Sequence, residues 1–127
     1  MRRRRDEHGA AVTDFAMVSV LVVVLFLTVF QLGLALHTRN TLISCAAEGA
    51  RLAARADAPA GSGVARTESL VSESLSPGYA RRVTSRGDVV GGVRVVEVRV
   101  VAPLPVLGLL GPQDGLDVVG RAFLESQ

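Results

Sequence analysis

The sequence predicts an α+β protein in which a long N-terminal transmembrane α-helix extends beyond the membrane and leads into a small domain. That domain is predicted to contain a short helix and a three-stranded antiparallel sheet. Three observations support this: an uncharged apolar run from Phe15 to Leu36, an Ala-rich stretch at helical spacing after it, and alternating Val-rich stretches near the C-terminus. Because aromatic residues make up only 4% of the chain, the core of the domain must be aliphatic.

The apolar run is long enough to cross a membrane. Its 22 residues rise about 33 Å as a helix, against about 30 Å of hydrocarbon. The apolar core of a cleaved secretory signal is shorter, about 7–15 residues, and an Ala-x-Ala site follows it. This run is longer and has no such site after it, so we expect a retained anchor, with residues 10–36 as the transmembrane helix.

The arginines around the span predict its orientation. Arg2 to Arg5 precede it, whereas only scattered arginines follow it. Positive charge stays on the cytoplasmic side, so residues 1–9 form a cytoplasmic leader and the C-terminus lies outside the cytoplasmic (inner) membrane. An arginine cluster beside a span indicates topology and not nucleic-acid binding, and we expect no nucleic-acid partner.

Beyond the membrane, residues 37–56 are predicted to continue the helix. Leu42, Cys45 and Gly49 recur at helical spacing, and the apolar stripe contains mostly small residues, which suits close approach to another helix. Residues 57–63 contain Pro59, Gly61 and Gly63 and are expected to form a flexible loop.

Residues 64–127 are predicted to form the small extracytoplasmic α+β domain. Its expected elements are a helix over Val64–Leu75 and strands over Tyr79–Ser85, Val93–Ala102 and Leu116–Leu124, with a turn at Arg86-Gly87-Asp88. In Val93–Ala102 the even-numbered valines share one face, and Glu97 and Arg99 share the other. Residues 103–112 are apolar but too rich in Pro and Gly for a second span.

Enzymatic, metal and cofactor functions find no support in the sequence. It has no Gly-x-Ser-x-Gly motif, no phosphate-binding glycine loop, no paired carboxylates and no His/Cys cluster at metal-ligand spacing. We therefore expect no enzyme activity, no cofactor and no small-molecule substrate. The single cysteine, Cys45, excludes an internal disulfide and is expected to pack on a helix face, with an intermolecular disulfide or lipid attachment as the alternatives.

One carboxylate, Asp14, stands at the mouth of the apolar run. An acid costs about 2.5–3.5 kcal/mol at the bilayer centre and less near the interface, so its presence suggests a function. The alternative is that Asp14 lies at headgroup level and stabilises the positive end of the helix dipole. The residues alone leave both interpretations open.

Two motifs resemble the TadE-like pseudopilins of tight-adherence (Flp) pilus systems. Those proteins open with a Gly-Ala-Ala-x-x-Glu-Phe pattern, which corresponds to Gly9 through Phe15 here with Asp14 in place of Glu. After the span they carry an Arg-Asn-x-x-x-x-Ala-Ala-x-Glu-Gly-Ala-Arg pattern, which corresponds to Arg39 through Arg51. The similarity covers roughly residues 9–56.

The resemblance implies a minor pilin or pseudopilin that a prepilin peptidase cuts between Gly9 and Ala10, so that Asp14 becomes the fifth residue. It also implies contacts with other pilins and with the pilus assembly platform. Asp14 would then pair with the new N-terminus of a neighbouring subunit. The helix-contact motif Glu48, Gly49, Ala50 and Arg51 would meet a partner, unless it is a solvated helix turn with a close-packing glycine.

Two other functions are weighed against this one. The first is an unprocessed bitopic scaffold or sensor whose outer domain binds a ligand. The second is a lipoprotein anchored at Cys45, because Leu42 to Cys45 looks like a lipobox. A lipobox cysteine directly closes the apolar run, however, whereas polar residues 37–41 intervene here.

Overall fold

The computed structural model describes the backbone of residues 3–105 and 114–125, and side chains from Gly9 onward. Helix α1 spans Arg3–Ala53, helix α2 spans Ser62–Ser74, and a short 3-10 helix covers Pro77–Ala80. Strands β1, β2 and β3 span Arg82–Val90, Val93–Ala102 and Leu116–Phe123. The predicted fold class is confirmed: a long apolar helix, a short helix and a three-stranded antiparallel sheet.

The chain divides into two compact units, Met1–Gly33 and Leu34–Gln127. In the first unit the apolar side chains are almost all exposed, as they are in Phe15, Leu21 and Phe26. By length and composition, α1 contains one segment capable of crossing a membrane, with a mean hydropathy of 2.6. An exposed apolar surface of this kind requires lipid or other helices around it.

The second unit has its own core on one face of the sheet. Its strands run in the order β1-β2-β3, and both pairs are antiparallel. The inner face contributes alternate residues of β2 and β3, since side chains alternate along a strand. Against them pack apolar residues of α1 and α2; the cluster includes Leu42, Cys45, Ala46, Ala50, Val71, Val98, Val100, Ala102, Leu116 and Val118.

Helix α1 lies directly on β3 because β3 carries a glycine at the contact. A Cβ on Gly120 would come within 2.3 Å of the Ala46 carbonyl carbon and the Ala47 nitrogen. Further along, the Glu125 amide donates to the Ala54 carbonyl at 3.0 Å. Residues 46–54 of the chain therefore run in the same direction as β3.

The predicted turn at Arg86-Gly87-Asp88 is wrong, because β1 passes straight through these residues. The chain turns at Gly91-Gly92, where both residues have positive φ, 59° and 82°. A two-residue hairpin turn with two positive φ angles favours glycine at both positions, and this pair provides them. Strand β1 begins at Arg82, three residues after the predicted start at Tyr79, because Tyr79 and Ala80 belong to the 3-10 helix.

The other element boundaries differ less. Helix α1 ends at Ala53, within the predicted extension 37–56, and α2 begins at Ser62, inside the segment predicted as a loop. Strand β2 has the predicted bounds, and β3 ends one residue early. Of the Pro- and Gly-rich stretch 103–112, residues 106–112 lie outside the described residues.

The outer face of the sheet is built around a buried carboxylate. Glu97 is 2% exposed, and its two oxygens pair with Arg86 at 2.9 Å and Arg121 at 2.8 Å. These arginines are its direct neighbours on β1 and β3. A buried acid is tolerated when it is paired and hydrogen-bonded, so Glu97 links all three strands.

Candidate processing and assembly site

The predicted cleavage point lies inside a helix. Gly9 and Ala10 are exposed residues of α1, and a Cβ on Gly9 would meet nothing within 4 Å. The Thr13 hydroxyl donates to the Gly9 carbonyl at 2.9 Å, one helical turn away. The Gly9–Ala10 bond is thus sterically open, but its carbonyl is hydrogen-bonded within the helix.

Asp14 is exposed and has no cationic partner among the described side chains. Helix α1 begins at Arg3, so Asp14 lies eleven positions after its first residue. The dipole at a helix end acts within about the first turn, and in the uncut chain Asp14 lies well beyond it. Helix capping therefore does not account for Asp14 while residues 3–9 remain helical.

The helix-contact motif divides into two pairs with different environments. Glu48 and Arg51 are exposed and pair with each other at 3.0 Å. Gly49 and Ala50 are buried. A Cβ on Gly49 would come within 1.9 Å of the Thr67 Oγ1 and 2.6 Å of the Gly63 carbonyl oxygen. Gly49 is therefore a close-packing glycine against α2 of the same chain, which leaves Glu48 and Arg51 accessible to a partner.

Cys45 is packed in the core, at 6% exposed. Burial raises the pKa of the Cys45 thiol, so the thiol is less readily ionised than a free cysteine. It lies within the unbroken helix α1, and the Thr67 hydroxyl approaches its carbonyl at 3.4 Å. This environment matches a small apolar residue on a packed face, and a lipid or disulfide at Cys45 would require the core to open.

The geometry places the two predicted motifs in different units of the chain. Gly9, Ala10 and Asp14 belong to the unit that ends at Gly33, and residues 48–51 belong to the unit that begins at Leu34. Among the described residues no group of three or more His, Cys, Asp or Glu is placed to hold a metal ion.

Comparison with known protein families gives one match, and it lies in this segment. Residues 9–51 match the model of the TadE-like protein family. The match begins at the predicted cleavage glycine and ends at the last arginine of the second motif. No curated protein and no solved structure matches the chain.

The TadE-like segment thus contains every site residue that the sequence predicted. Outside it, the structure reveals two features that sequence reasoning missed. From the sequence, no role is predicted for Gly120, which admits α1 to the sheet surface. Glu97 is predicted to share one face with Arg99, but not to be buried between two arginines. Charged residues at alternate positions of β1, β2 and β3 were a possible signal for the buried Glu97. That signal could be used only once the register of the strands was known.

Proposed function

We propose that this protein is a TadE-like pseudopilin that acts in tight-adherence (Flp) pilus assembly, after prepilin-peptidase cleavage, through protein–protein contacts. One observation carries the proposal: Gly9 and Asp14 stand in register at the start of an exposed apolar helix, within the segment that matches the TadE-like family.

Cleavage after Gly9 changes the charge at the mouth of the membrane segment. It removes Arg2 to Arg5 and creates an amino group on Ala10, with a pKa of about 7.7–8.0 in an unperturbed peptide. For the bond to enter a protease, the α1 backbone must unwind locally, and the Thr13–Gly9 hydrogen bond must open. Glycine eases this step, since it is about 1 kcal/mol less favourable in a helix than alanine.

Asp14 supplies the counter-charge for the new terminus. Its carboxylate is exposed on α1, with no cation beside it among the described side chains. An ammonium group buried against neighbouring helices is costly unless a carboxylate meets it. Asp14 of one subunit therefore pairs with the Ala10 terminus of the next and fixes the register of adjacent helices.

The proposed location and partners follow from this arrangement. The protein lies in the cytoplasmic membrane with its N-terminus in the cytoplasm and its domain outside. Its partners are the bilayer, the prepilin peptidase, other pilins or pseudopilins and the assembly platform. The accessible pair Glu48 and Arg51 offers one contact point on the extramembrane part of α1.

Substitution of Asp14 tests the assembly function. Asp14→Asn is expected to insert and to be cut, yet to be depleted at least tenfold in crosslinked oligomers or sheared surface material. That factor corresponds to about 1.4 kcal/mol, a modest part of the cost of an unpaired buried charge. Asp14→Glu, the usual residue of the family, should assemble at least as well as the original chain.

Asp57→Asn is the matched control, because Asp57 is an exposed carboxylate in the loop after α1. It should assemble normally. An unprocessed scaffold or sensor predicts that Asp14→Asn and Asp57→Asn behave alike. Normal assembly of Asp14→Ala would reject the pairing of Asp14 with a neighbouring terminus.

A further inference from the structure

The two edges of the sheet have free strand surfaces. The Leu124 amide donates to the Arg94 carbonyl. The backbone groups of the even-numbered residues of β3 therefore bond to β2, and those of the odd-numbered residues point to the open edge. The backbone groups of Val93 and Val95 consequently point to β1, where the paired residues are Val90 and Asp88. The odd-numbered residues of β1 therefore point to the opposite edge. Among the described residues, the odd-numbered residues within β3 and within β1 have no outward backbone partner. The next odd-numbered residue after β3, Glu125, donates to the Ala54 carbonyl, so the free edge of β3 ends at Phe123.

The side chains along these edges are exposed and complementary. Phe123 on β3 is 72% exposed, and Val89 and Val90 on β1 are 61% and 48% exposed. These apolar groups lie at the same end of the sheet, on its opposite edges. Each edge also has a charged residue next to its apolar one, Arg121 on β3 and Asp88 on β1.

The geometry points to a contact between copies of this chain in which β3 of one copy pairs in parallel with β1 of the next. In this register Phe123 lies beside the neighbour's Val90 and Arg121 beside the neighbour's Asp88. Both members of each pair are on the outer face of the sheet, as adjacent residues of parallel strands must be. The contact joins unlike edges, so it propagates from copy to copy instead of closing a pair.

The register also satisfies the free backbone groups. In a parallel pair, the backbone amide and carbonyl of one residue bond to the two residues that flank the residue opposite it. Arg121 lies opposite Asp88, so its backbone groups bond to those of Gly87 and Val89. The Val89 amide is at present capped by the Asp88 carboxylate at 2.8 Å. The Nε of Arg121 bonds to Glu97 in its own chain, so the terminal guanidinium nitrogens are the ones that take the Asp88 carboxylate of the neighbour. The Val89 amide is then released to donate to the Arg121 carbonyl. Without a neighbour, the Asp88 cap protects the edge.

A two-fold pairing of β3 with β3 is the competing arrangement. It would place Asp117 against Arg121 and Val119 against itself, but it leaves the exposed Val90 of β1 without a partner. The parallel contact covers Phe123 and Val90 together and keeps residues 46–54 of neighbouring chains running in the same direction. The β3–β1 contact does not require cleavage after Gly9, so its test is independent of the test of the proposed function.

Disulfide trapping in membranes tests the contact on the full chain, in a Cys45→Ala background. Adjacent strands are about 4.8 Å apart, within the Cα separation of about 4.4–6.8 Å that a disulfide spans. Phe123→Cys combined with Val90→Cys should give a ladder of dimers and higher multimers on oxidation. Neither single variant should crosslink, but the two co-expressed should give dimers. Within one chain, β2 separates these positions by about two strand spacings, which is too far for a disulfide.

The control pair is Phe123→Cys with Thr84→Cys, which lies about 20 Å from Val90 along β1 at about 3.3 Å per residue. It should remain monomeric. Asp88→Arg added to the crosslinking pair should weaken the ladder by up to about fivefold, the factor for a cross-strand charge pair of about 1 kcal/mol, whereas Asp88→Glu should preserve it. The contact is overturned if the Phe123/Val90 pair stays monomeric while the domain resists protease, or if Val119→Cys alone gives dimers.

Discussion

At the scale of single residues, the outer sheet face shows how charge is managed in a domain with little core. Glu97 is shielded from solvent, and two arginines on adjacent strands neutralise it. Nearby, Arg99 donates to both oxygens of Asp117, with Nε to Oδ1 at 2.8 Å. These pairs connect β2 to both edge strands, so they strengthen the sheet and fix its register.

The Arg99–Asp117 pair gives the domain a defined acid sensitivity. The hydrogen bond from Arg99 lowers the pKa of the Asp117 carboxyl below the ordinary value of 3.8. The folded state then binds this proton more weakly than the unfolded state. The stabilisation is complete above the ordinary pKa and disappears as the pH falls through the lowered one.

Asp117→Asn should therefore destabilise the domain at a pH of about 6 and have less effect at about 3, below the ordinary pKa. Urea unfolding of the full chain in detergent at both pH values measures the difference. Asp57→Asn, whose carboxylate is exposed in the loop, is the control and should change little. An equal loss of stability at both pH values would show that the ion pair is not responsible.

At the scale of elements, glycine determines how closely the two helices and the sheet approach. Gly49 and Gly63 bring α1 and α2 into backbone contact, with a Cβ on Gly63 only 2.8 Å from the Gly49 carbonyl oxygen. The Thr67 hydroxyl lies in this contact: it donates to the Gly63 carbonyl within α2 at 2.8 Å and approaches the Cys45 carbonyl of α1 at 3.4 Å. On the other side, Gly120 admits α1 to β3. At these positions small residues let the backbones of the helices and the sheet approach each other closely. The close approach adds dispersion contacts in a core that has few large side chains.

Gly120→Ala should destabilise the domain by about 1–3 kcal/mol, the usual range for overpacking, because the added methyl group meets the backbone of α1. Gly87→Ala is the matched control: it is also a strand glycine, but a Cβ there would meet nothing within 4 Å. Thermal unfolding of the two variants in detergent compares them. Equal melting temperatures would contradict direct packing of α1 on β3.

The elements also show what the sequence was able to predict. Strand β2 carries valines on alternate positions of its inner face, Val96, Val98 and Val100, and was predicted with its observed bounds. The β1–β2 turn was misassigned because Arg-Gly-Asp and Gly-Gly are both turn-like, and only strand pairing selects between them. Close packing was one of the two alternatives that the sequence left open for Gly49. Its partner, α2, could not be predicted, because helical spacing shows which residues share a face but not which element packs against them.

At the scale of the whole molecule, two units with different surfaces share one helix. The first unit exposes apolar side chains along α1, and the second encloses a core of its own. The proposed processing residues and the TadE-like match could be recognised from the sequence because they are local motifs with fixed spacing. The free sheet edges could not be predicted from the sequence, since they depend on which strands pair with each other.

Processing after Gly9 is tested by the N-terminus of the protein isolated from membranes. With a prepilin peptidase co-expressed, we expect a mature chain that begins Ala10-Ala11-Val12-Thr13-Asp14-Phe15, with the matching loss of mass. Gly9→Leu should block the cut, and a strain without the peptidase should retain the leader. Recovery of the intact terminus, Met1 followed by Arg2 to Arg5, in the presence of an active peptidase would rule out processing after Gly9.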